Sequence, residues 1–109
     1  MKKIIALLLA LVMAMALVAC GSSDSGDTVK IGIFEPTSGQ NGAGGKKEML
    51  GMQYANQETP TVEIGGETYK VELVYSDNAS DPAKAVSAAS KLVNEKVSLV
   101  LGSYGSGVS

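Results

Sequence analysis

The 109-residue chain has no histidine, no tryptophan and a single cysteine, Cys20. Without histidine, a serine or cysteine nucleophile lacks its usual general base. Without histidine or paired cysteines, a structural zinc site has no ligand set, and one cysteine closes no disulfide. Basic residues are also scarce. Once Lys2 and Lys3 are set aside, seven lysines face eleven carboxylates, a net charge of −4. Nucleic-acid binding needs a basic patch to neutralise phosphates, and this chain has none to offer.

What the chain does have begins at its first residue. Met1-Lys2-Lys3 precedes an uncharged apolar run from Ile4 to Val18, and no further lysine occurs until Lys30. A basic start, a short apolar stretch and small residues before a cut site are the marks of a secretory signal peptide. The run is too short to span a bilayer comfortably. Its end, Leu17-Val18-Ala19-Cys20, resembles a bacterial lipobox. That resemblance implies a signal peptide over residues 1–19 and a diacylglycerol on Cys20, which becomes the mature N-terminus. Two acyl chains give stable attachment to a bilayer where one is marginal. Residues 20–28 then form a flexible linker, because Gly21 to Thr28 is Gly-Ser-Ser-Asp-Ser-Gly-Asp-Thr and contains nothing to bury.

From Val29 the pattern becomes globular. Val29-Lys30-Ile31-Gly32-Ile33-Phe34 is β-branched and apolar and predicts a strand buried on both faces, apart from Lys30. Gln40 to Gly45 predicts a loop. Lys46 to about Glu58 predicts a helix with Met49, Met52 and Ala55 on a broad apolar face beside Leu50 and Tyr54, ended by Pro60. Gly51 within it marks either close approach to a strand or a tolerated surface glycine. Val62-Glu63-Ile64, Gly65-Gly66 and Glu67 to Tyr75 form a hairpin signal. Asp81-Pro82 is an N-cap followed by proline at the first helical position. The helix it opens runs to about Lys96, with Ala85, Ala89, Leu92 and Val93 inward. Val97 to Leu101 predicts another buried strand. The Gly102–Gly107 loop after it should open a further helix at Val108. This alternation predicts an α/β fold, a parallel sheet with helices on both faces and right-handed crossovers. Ligands in such sheets bind beyond the carboxyl ends of the strands, where residues 35–45 and 102–107 lie.

Two catalytic or nucleotide motifs fail on inspection. A P-loop needs glycine where Gln40 stands and serine or threonine where Lys47 stands. Around Ser106, Tyr104 occupies the first glycine position of a nucleophile elbow. The residues therefore point away from an enzyme, and no cofactor is implied. Gly105, Ser106 and Gly107 instead offer accessible N–H groups and a hydroxyl, suited to a carboxylate. A serine there could equally cap its own helix.

Val29-Lys30-Ile31-Gly32-Ile33, Pro36-Thr37-Ser38-Gly39, Tyr75-Ser76-Asp77-Asn78-Ala79-Ser80-Asp81-Pro82, Lys91-Leu92-Val93-Asn94 and Val100-Leu101-Gly102-Ser103 occur together and in order. Together they resemble the N-terminal portion of branched-chain amino-acid-binding proteins, the type I periplasmic-binding-protein-like receptors of ABC importers. The resemblance implies two α/β lobes closing on an amino acid, with residues 29–109 forming an incomplete first lobe. It implies that Ser106, flanked by Gly105 and Gly107, contacts the ligand carboxylate, and that Gln40 through Gly44 approach the ligand side chain. Some members carry an aromatic residue where Gly44 stands, and some pair cysteines at positions matching Ser80 and Gly105. The implied partners are an amino acid or similar solute, an ABC permease and the bilayer, on the extracytoplasmic face of a bacterial membrane. Competing readings are a sensory ligand-binding module and a truncated, non-binding remnant of this fold. Replacing Cys20 with serine should release the protein from membranes; fractionation that still finds it membrane-bound rejects the lipid anchor.

Overall fold

The computed structural model describes residues 3–5 and 27–109. Almost all of the residues expected to form a signal peptide and linker, Cys20 among them, lie outside the described residues. The elements are β1 (Thr28–Glu35), α1 (Gly42–Glu58), β2 (Thr61–Ile64), β3 (Glu67–Asp77), α2 (Pro82–Asn94) and β4 (Leu99–Leu101). They build one four-stranded sheet in the order β2-β3-β1-β4. β1 pairs in parallel with β3 and β4, and only β2, the hairpin arm, is antiparallel. This is the expected α/β architecture with one antiparallel edge.

The local signals explain most of these elements. Gly65 and Gly66 both have positive φ, +60° and +83°, which the two-residue hairpin turn demands and glycine supplies without a Cβ penalty. The Asp81 side chain accepts a 2.8 Å hydrogen bond from the Ala83 N–H, and Pro82 fills the first helical position. Strand alternation then sorts the two helices to opposite faces. Val29, Ile31, Val71 and Leu73 line one face beside Met52 and Ala55 of α1. On the other, a Cβ on Gly32 would stand 3.0 Å from Leu92 of α2, and Ser76 Oγ donates to the Ala88 carbonyl at 2.9 Å. Ile33 and Leu92, each 1% exposed, are the largest apolar side chains in the core.

Several expectations need correction. α1 starts at Gly42, four residues earlier than the propensities predict, so Gly42 to Gly45 of the expected glycine loop are helix. The reason is packing: a Cβ on Gly45 would overlap the Pro36 carbonyl, and one on Gly42 would stand 3.2 Å from the Thr37 backbone. Gly51, by contrast, has nothing within 4 Å of its would-be Cβ and is a surface glycine. Ala55, Leu50 and Tyr54 are exposed, leaving Met49 and Met52 half-buried. On α2 the buried residues are Ala85, Ala88 and Leu92; Ala89 and Val93 are exposed, lining an open groove with Phe34, Val97 and Val100 beside β4. The helix ends at Asn94, not Lys96, where the chain turns with Lys96 at φ +57°. β4 is only three residues long and its side chains are exposed, as no strand pairs with its far side among the described residues.

Two glycines of one helix should therefore respond oppositely. Gly51→Ala should raise stability by about 1 kcal/mol from helix propensity alone. Gly45→Ala should lower it by about 1–3 kcal/mol through overpacking against Pro36. Chemical-denaturation midpoints of the two variants decide the matter; equal shifts would contradict the packing described.

Candidate functional site

Parallel pairing carries the chain to the same sheet edge at the end of β1, β3 and β4, and the three loops that leave there are tied to one another by polar side chains. The loop after β1 and the loop after β3 meet at Asp77. Its Oδ1 accepts from the Thr37 and Ala79 N–H groups, both at 2.8 Å, and its Oδ2 accepts from Ser38 Oγ at 2.7 Å. Ser80 adds a second tie, its Oγ accepting from the Asn41 N–H at 2.9 Å. Ala79 and Ser80 sit in the left-handed region, φ +55° and +57°, the bend that turns the Ser80 hydroxyl toward Asn41.

The loop after β4 is anchored from beneath. Asn78, fully buried, donates from Nδ2 to Ser103 Oγ at 2.8 Å, and its Oδ1 accepts from the Ser80 N–H at 3.1 Å. Glu35, the last residue of β1 and also fully buried, accepts from the Tyr104 N–H at 2.8 Å through Oε2. The other oxygen, Oε1, is buried without a hydrogen-bond partner.

Two carboxylates at this edge are thus driven apart in acidity. Partial burial pushes Asp77 up, but the hydrogen bonds from Ser38, Thr37 and Ala79 outweigh it and hold the carboxyl at about 2. Burial pushes Glu35 above 4.5, opposed by the Tyr104 N–H and reinforced by the neighbouring carboxyl of Glu48.

The sequence-derived site residues come to this edge. Gly44 lies in the first turn of α1, where a Cβ would overlap the Tyr104 ring; the space of a side chain at that position is filled from the neighbouring loop. Gly105, at φ +108°, lies against Asn41, whose Nδ2 would stand 2.6 Å from a Cβ there. Gln40, Ser106 and Gly107 are exposed. The N–H groups of Gly105, Ser106 and Gly107 make no backbone hydrogen bond among the described residues, and Val108 N–H closes a turn to the Gly105 carbonyl at 3.4 Å. Ser106 therefore sits in this turn. A larger apolar groove lies elsewhere, between α1 and the sheet, lined by Val29, Met52, Val62 and Leu101. Among the described residues there is no group of three or more histidine, cysteine or acidic side chains placed to hold a metal.

Sequence reasoning missed Glu35, Asn78 and Asp77 as organisers of the edge. For Glu35, the only signal was a carboxylate placed directly between a buried run and Pro36.

The periplasmic binding protein family profile matches residues 28–109. The chain is 35% identical over 94 residues to a Leu/Ile/Val-binding protein homolog 2 of Brucella abortus, covering 86% of this chain and 25% of that protein. Among solved structures, a leucine-binding protein from Thermotoga maritima superposes with a TM-score of 0.66 at 35% identity, over 74% of this chain and 22% of its own. An ABC-transporter solute-binding protein from R. palustris, solved with benzoate, superposes with a TM-score of 0.62 at 29% identity, over 74% and 22%. The chain thus spans about a quarter of the length of the curated relative it matches.

Proposed function

This chain belongs to the periplasmic binding protein family, and we propose that it forms one wall of a solute-binding cleft in an ABC-importer receptor. The observation that carries this is the convergence of three strand-end loops, fixed by Asp77, Asn78 and Glu35, around the open N–H groups of residues 105–107. Fixed donors at a strand-end loop suit a carboxylate, since their entropy is spent on folding and not on binding. The similar proteins support that chemistry. Leucine, named for one, and benzoate, bound to another, share a carboxylate and differ in what it is attached to.

On this reading Ser106 with Gly105 and Gly107 holds the carboxylate. Gln40 and Gly44, with the Tyr104 ring seated on Gly44, face the rest of the solute. A branched-chain amino acid is the leading solute class; an aromatic carboxylate is the second, favoured by the benzoate-binding relative. Function is binding and release to a permease, with the receptor held at the extracytoplasmic membrane face through lipid on Cys20.

Calorimetric titration of leucine and of benzoate into the full-length protein containing this sequence tests the proposal. Ser106→Ala should weaken binding of the preferred ligand by about 1–3 kcal/mol, the cost of leaving a charged acceptor without a partner. Unchanged affinity would remove Ser106 from the site, and no binding of either ligand would reject the receptor reading.

A further inference from the structure

We propose that Glu35 is the positioning residue of the ligand-facing loop and does this work in its protonated form. The site would accordingly take carboxylate ligands more tightly in mildly acidic medium than in alkaline medium. The inference deepens the receptor reading above and rests on it for its ligand.

Its basis is geometric. Glu35 ends β1 with no exposed surface, directly beneath the loop that begins at Gly102. One oxygen fixes the loop by accepting from the Tyr104 N–H at 2.8 Å, and the other is buried without a partner. A Cβ on Gly102 would stand 2.8 Å from that free oxygen, so the loop backbone passes close over it. A buried carboxylate with a single donor is poorly compensated, whereas the neutral acid keeps the same Tyr104 bond at a far smaller desolvation cost.

The surroundings favour the neutral form. Burial penalises the charge of Glu35 most, and against the Tyr104 N–H the neighbouring Glu48 carboxyl of α1 adds to that penalty. Asp77 of β3 is opposite Glu35 in register, and with its carboxyl held at about 2 it stays ionised in ordinary buffers. Lys91 of α2 lines the same small cavity, but its Nζ donates to the Tyr75 carbonyl at 2.8 Å, not to Glu35. β4 contributes only Leu99, Val100 and Leu101. Ionising Glu35 therefore adds an uncompensated negative charge just below donors meant for an anion.

Two readouts on the full-length protein test this separately. The first is the Tyr104 amide resonance followed from about pH 4 to 9. It should titrate with a midpoint above 4.5 in the wild type and stay flat in Glu35→Gln, which keeps an acceptor for the N–H. The second is affinity for leucine and benzoate, which should fall about tenfold as Glu35 ionises, a long-range charge effect. Glu35→Gln should hold the acidic-side affinity at every pH, while Glu35→Ala should be weaker throughout. A flat Tyr104 profile in the wild type overturns the inference whatever binds. So does a Glu35→Gln variant as weak as Glu35→Ala. A titrating amide in a protein that binds neither probe at any pH overturns the receptor reading and with it the ligand half of this inference, leaving the loop latch standing.

Discussion

The parallel pairing of β1 with both of its neighbours is the constraint on which everything else here depends. A parallel strand must return to its starting end through a crossover, so all three parallel strands deliver their loops to one edge. The helices that make those crossovers then have nowhere to pack except the two faces of the sheet. Burial of Ile33 and Leu92 in the resulting layers fixes β1 in the middle. An edge of gathered loops is thus a by-product of how the core is formed, and residues can be changed there with little disturbance to the layers.

Topology brings the loops together, but side chains hold them. Loops rarely have regular backbone partners, and their polar groups must be satisfied in some other way. Here the work is divided between a carboxylate at the end of β3 and a carboxyl and an amide in the interior. Asp77 accepts three hydrogen bonds and remains an anion. Glu35 accepts one and is buried. Linkage gives the two opposite effects on stability. Asp77 binds fewer protons folded than unfolded, so its contribution is present above its usual 3.8 and is lost as pH falls toward about 2. Glu35 binds more protons folded than unfolded, so the fold weakens as pH rises past 4.5.

Much of this was legible in the sequence wherever a local rule acts alone. Gly65-Gly66 specifies its turn, Asp81-Pro82 specifies its helix start, and the strand–helix alternation specifies the sheet. The resemblance to branched-chain amino-acid-binding proteins is matched by the family assignment and by similar solved structures. The misreadings occur where a tertiary contact decides. Gly42 and Gly45 look like loop because glycine is a poor helix former, yet only glycine fits beside Thr37 and Pro36. Ala89 and Val93 look like core by residue type and spacing, but the groove they line with Phe34 and Val100 is open and they stay exposed. β4 looks like a buried strand because Leu99, Val100 and Leu101 are apolar, and their exposure reflects that no strand covers its far side among the described residues. Glu35 was invisible for the converse reason: a glutamate at a strand end reads as surface until a loop is seen to cover it.

On the receptor reading, one sheet edge meets the ligand and the apolar groove between α1 and the sheet does not. Mapping backbone amide shifts of the full-length protein during a leucine titration tests this most directly. The largest changes should fall at Ser103–Gly107 and Gln40–Gly44, with Tyr104 among them. Changes concentrated instead at Val29, Met52, Val62 and Leu101, with residues 103–107 unmoved, would contradict it.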